Sequence, residues 1–89
     1  MEKEERQSKA KSLLKKNHPK DIVAWYSKKF KINESAATIE LYELGYYEEI
    51  QINYYQKNNI DWEYKYDGFS GELKAVPKGT EDSDLHLYN

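Results

Sequence analysis

The chain has 89 residues, of which 38% are hydrophobic, 34% charged and 15% aromatic, with nine tyrosines and a formal net charge of −2. So short a chain buries only about 60 to 70% of its unfolded surface, which points to one small domain whose core is built mainly from aromatics. The absence of cysteine excludes disulfides and thiol nucleophiles, and two histidines far apart in sequence leave no zinc-ligand spacing, so neither cofactor nor metal is expected.

Residues 2–16 are rich in Glu, Lys, Arg, Gln and Ala, with Ala10, Leu13 and Leu14 as a thin apolar stripe, and read as a basic helix or arm over residues 1–16. Asn17-His18-Pro19 ends it, and Pro19 suits the first turn of a second helix that runs to Phe30 with Ile22, Val23, Tyr26 and Phe30 on its buried face. Asn33 reads as the N-cap of a third helix that ends before Gly45. Its core face is Ala37, Leu41 and Leu44, while Glu34, Thr38 and Glu40 point elsewhere.

Residues 46–57 fit both periodicities, because Ile50 to Tyr55 alternates while Tyr47, Ile50 and Tyr54 keep helical spacing. Glu48 and Glu49 at one end and Lys57 at the other favour a helix. Ile60, Trp62, Tyr64 and Tyr66 then alternate with polar residues as a half-buried strand whose large side chains are expected to cover the helices. Asp67 to Gly71 makes the turn and Glu72 to Val76 the antiparallel partner. The last ten residues, 80–89, form an acidic tail, either a short edge strand or loose. The expected fold is therefore α+β: a helix-turn-helix-like bundle of three or four helices followed by a C-terminal antiparallel β-hairpin, with residues 17–79 as one domain.

Charge is divided unevenly. Residues 1–31 carry ten Lys or Arg against four Asp or Glu, and residues 32–89 carry four against twelve. An anionic partner for the first third is one reading of that division, and attraction between the halves is the other. No apolar run is long enough to span a membrane and no hydrophobic segment follows Met1-Glu-Lys-Glu-Glu-Arg6, so a soluble cytoplasmic protein is expected. The carboxylate pairs Glu48-Glu49 and Asp82 with Asp84 offer too few ligands for a hard cation. With no nucleophile and base to assemble, a non-enzymatic protein is expected.

The segment Lys29-Phe-Lys-Ile-Asn-Glu-Ser-Ala-Ala-Thr-Ile-Glu-Leu-Tyr-Glu-Leu-Gly45 resembles the reading unit of winged helix-turn-helix bacterial repressors, a likeness that covers residues 21–45. That resemblance implies a regulatory protein of bacterial or phage type that binds duplex DNA. It makes Ser35, Ala36, Thr38 and Ile39 the surface facing base edges and the hairpin from Trp62 to Val76 the wing. Where such repressors often carry paired arginines this chain has Thr38 and Ile39, and the charges left on the helix, Glu34, Glu40 and Glu43, are of the wrong sign for DNA. Arg6, Lys9, Lys11, Lys15, Lys16 and Lys20 are the candidate phosphate contacts that would compensate. The alternative is a protein-interaction module, with Tyr42, Tyr46 and Tyr47 presented to a partner or to a second copy of the chain.

Overall fold

The computed structural model describes residues 1–88, among which the element order is α1 (Lys3–Leu14), α2 (Ile22–Phe30), α3 (Glu34–Glu43), α4 (Tyr47–Lys57), β1 (Trp62–Asp67), β2 (Glu72–Pro77) and a 3-10 helix (Asp82–Leu87). This is the expected α+β arrangement of helices followed by an antiparallel hairpin. Its contacts gather into two compact units, Met1–Ile50 and the residues from Gln51 onward. The division falls inside α4. Ile50 in the helix's first half packs on the core of the first unit, while Tyr55 in its second half is buried and donates its hydroxyl to the Ala75 carbonyl at 3.0 Å. No described helix is long and apolar enough to cross a membrane.

In the first unit α1 ends at Leu14, short of the expected Lys16, where the Asn17 side-chain amide donates back to the Leu13 carbonyl at 3.1 Å. α2 begins three residues later than the proline suggested. The Asp21 carboxylate accepts from the Ala24 amide at 2.9 Å, and that cap sets the first turn while leaving Pro19 in the approach. The helix stops at Lys31, which adopts the left-handed conformation at φ 55°, with the Ile32 amide returned to the Ser27 carbonyl at 3.1 Å. Asn33 then caps α3 as expected, accepting from the Ala36 amide at 2.7 Å. Gly45, at φ 92°, closes α3 in a conformation that favours glycine, and the Tyr46 amide bonds back to the Leu41 carbonyl at 3.1 Å. The core is Ala10, Leu14, Ile22, Val23, Tyr26, Ala37 and Leu41, with Trp25, Phe30, Ile32, Leu44, Tyr46 and Ile50 packed around it.

In the second unit the strands pair with Trp62 opposite Pro77, Tyr64 opposite Ala75 and Tyr66 opposite Leu73. Asp67 holds the turn by accepting from the Phe69 amide at 2.9 Å. The acidic tail, expected as an edge strand or loose, is a 3-10 helix that buries Leu85. Lys65 ties its start, pairing with Asp82 at 3.0 Å and donating to the Thr80 carbonyl at 2.9 Å. Tyr64 and Tyr66 do not cover helices as expected. They are 51% and 64% exposed, although Ala75 on their side is buried and Trp62 half-buried, and the other side carries the buried Asp67, Lys74 and Val76.

Candidate nucleic-acid interface

A three-residue connection, Lys31-Ile32-Asn33, separates α2 from α3. Both ends are fixed by backbone bonds or caps, and the Ser27 hydroxyl donates to the Ile32 carbonyl inside the turn. α3 turns Ala37, Glu40 and Leu41 inward. Helical spacing therefore directs Ser35, Ile39 and Tyr42 away from the core, with Thr38 and Ala36 on the two flanks. Ser35 is exposed, Ala36 and Thr38 are half-buried, and Ile39 and Tyr42 are 61% and 50% exposed. The outward face thus contains the surface expected from the sequence and extends it by Tyr42, which meets Tyr47 edge-to-face at 4.6 Å between ring centroids. Tyr47 is exposed, while Tyr46 is half-buried against the core.

Of the three carboxylates on α3, Glu40 is drawn inward, while Glu34 and Glu43 stay exposed. Glu40 was expected to point away from the core and is instead buried, accepting from Arg6 Nε at 3.0 Å and Nη2 at 2.7 Å, and from the Tyr26 hydroxyl at 2.7 Å. Its spacing of three from Ala37 and four from Leu44 is core spacing, and only its charge argued otherwise. The fork of Arg6 satisfies both carboxylate oxygens and holds Glu40 below the ordinary carboxylate range. Burial, reinforced by the neighbouring carboxylate, pushes the Tyr26 hydroxyl well above its usual range, so it stays a donor at every physiological pH. Glu43 is held from α1 as well, by Lys3 at 3.4 Å and Gln7 at 3.1 Å.

Among the expected phosphate contacts, then, Arg6 is engaged in an internal ion pair. Lys9, Lys11, Lys15, Lys16 and Lys20 are exposed. On α1, helical spacing puts Lys9 and Lys11 on opposite flanks of the Ala10–Leu14 stripe, and Lys15 and Lys16 follow just past its end. Lys28, Lys29 and Lys31, which are not among those expected contacts, are all exposed where the chain approaches α3. The short α2–α3 connection is the signal that places them close to the start of α3 in the chain. No protein-family model, no curated protein and no solved structure matches the chain.

Proposed function

We propose that the first unit is a non-enzymatic nucleic-acid-binding module that lays the outward face of α3 against duplex DNA. Ser35, Ala36, Thr38 and Ile39 meet base edges, and exposed lysines at the α2–α3 turn and at the end of α1 take phosphates. The observation that carries this reading is the inward capture of Glu40, with Glu43 neutralised by Lys3, which leaves Ser35, Ile39 and Tyr42 as exposed uncharged positions on α3, with the exposed Lys28, Lys29 and Lys31 just ahead of it in the chain. Uncharged reader positions suit apolar contact with thymine methyl groups and hydroxyl bonds to base edges better than bidentate guanine readout.

Fluorescence anisotropy of a labelled random duplex, titrated with the protein at low and at physiological salt, tests it. Binding at roughly micromolar concentration that weakens steeply with salt is expected. Lys15→Glu with Lys16→Glu, and separately Lys28→Glu with Lys29→Glu, should weaken it and flatten the salt dependence. No binding at low salt would overturn the reading. The exposed Tyr42–Tyr47 pair favours a second reading, in which the same face docks on a protein. In that case Tyr42→Ala or Tyr47→Ala weakens the complex more than either lysine pair does.

A further inference from the structure

The hairpin of the second unit buries charge on one side and exposes aromatic rings on the other. Opposed residues of an antiparallel pair share a face, so the register puts Trp62, Tyr64, Tyr66, Leu73, Ala75 and Pro77 on one side. Glu63, Lys65, Asp67, Glu72, Lys74 and Val76 take the other. An ordinary two-sided hairpin exposes the charged side and buries the aromatic one. Here Lys74 and Asp67 are buried together at 2.8 Å, and Lys74 donates a further bond to the Leu85 carbonyl of the 3-10 helix at 3.2 Å. Val76 is buried with them. The uncharged side keeps Ala75 covered but leaves Tyr64 and Tyr66 51% and 64% exposed and Leu73 63% exposed, with Phe69 at the turn fully open.

We infer that this open face is where a second copy of the chain packs, hairpin against hairpin, through Tyr64, Tyr66, Leu73 and Phe69. This goes beyond the nucleic-acid reading and uses the other unit. Two observations select a second copy as the occupant. The four side chains expose on the order of 500 Å². A two-fold pair would therefore bury about 1,000 Å², the lower limit of a specific interface. The face carries no charge, so two copies of an acidic chain meet there without burying like charges, whereas a nucleic-acid strand would find no cation on it and the exposed carboxylates Asp61 and Glu72 beside it. Stacking two such faces closes an aromatic layer between sheets about 10 Å apart.

Sedimentation equilibrium of the full chain tests the inference, comparing wild type with the double variant Tyr66→Glu, Leu73→Glu and with Phe69→Ser. These residues are exposed, so far-ultraviolet circular dichroism should be unchanged and a fall in association is not a folding defect. Wild type should show a monomer–dimer equilibrium with Kd on the order of 10–100 μM, as expected of so small an interface. The double variant should raise Kd at least about tenfold, since each copy would bring two like charges to the contact. Salt should strengthen the dimer by screening the acidic copies from each other, the opposite of its effect on DNA binding. Lys15→Glu with Lys16→Glu lies far from this face in the chain and should change the dimer Kd far less than the double variant does, so failure of the nucleic-acid reading and failure of this one are separable. A wild type that stays monomeric to about 0.5 mM, well above the expected Kd, or a double variant that dimerises as well as wild type, overturns the inference.

Discussion

Replacing Glu40 by glutamine removes one charge from the centre of the first unit and leaves its shape almost intact. In the native chain the carboxylate is 4% exposed and accepts three hydrogen bonds, two from Arg6 and one from Tyr26. A glutamine has one oxygen to offer three donors, and its own amide adds two more donors to the same site. Breaking a fully buried ion pair from one side costs about 3–5 kcal/mol. The Arg6 side chain keeps 17% of its surface and reaches water, so the expected loss for Glu40→Gln is smaller, about 2 kcal/mol. For a chain of this length that lowers Tm by about 10 °C at neutral pH. The assay follows from the placement of the tryptophans. Trp25 lies in the first unit and Trp62 in the second, so fluorescence of the Trp62→Phe background reports unfolding of the first unit alone. The pH dependence has a definite sign. Glu40 is held below its ordinary pKa in the folded chain, so its contribution is complete above the unfolded value and is lost as pH falls through the folded one. The gap between wild type and Glu40→Gln should therefore be widest at neutral pH and narrow below about pH 4. A variant as stable as wild type at pH 7, or a gap that stays constant down to pH 3, would refute the reasoning.

Two further outcomes follow from the same geometry. Lys31 sits at φ 55°, where a side chain is strained and glycine is not, so Lys31→Gly should stabilise the first unit by about 0.5–1 kcal/mol, read as a rise in urea midpoint. It should also weaken duplex binding modestly if Lys31 contacts phosphate. Asp67 is held at about pH 2, chiefly by its bond to Lys74, so the second unit should lose stability as pH falls from about 4 towards 2. In a Trp25→Phe background Trp62 fluorescence should follow that loss, and Asp67→Asn should abolish its pH dependence.

Much of the secondary structure is legible from local chemistry. Asn33 announces the start of α3 because its short side chain reaches an amide three residues on, and Gly45 announces its end because glycine tolerates φ 92°. Asp67 and Gly71 mark the hairpin turn for similar reasons. The same local logic misplaced the start of α2, where a proline and an aspartate both offered caps and the aspartate prevailed. It also left residues 46–57 between helix and strand until the acidic first turn and basic last turn were weighed.

Which face goes inward is another matter, and here the sequence alone misdirected twice. Charge said that Glu40 should face water and that the aromatic side of the hairpin should face the core. Instead Glu40 is buried, and so are Asp67 and Lys74 on the charged side of the hairpin, for one physical reason. A buried charge is tolerated only when a partner and enough hydrogen bonds are supplied at the same place. Those come from residues distant in the chain: Arg6 and Tyr26 for Glu40, and Lys74 with the Leu85 carbonyl lying over it for Asp67. Composition, caps, turns and helix spacing are properties of neighbours along the chain, and the sequence by itself determined them. The pairing that makes a carboxylate welcome inside, and so decides which residues of α3 and of the hairpin stay at the surface, is settled only when separate segments meet.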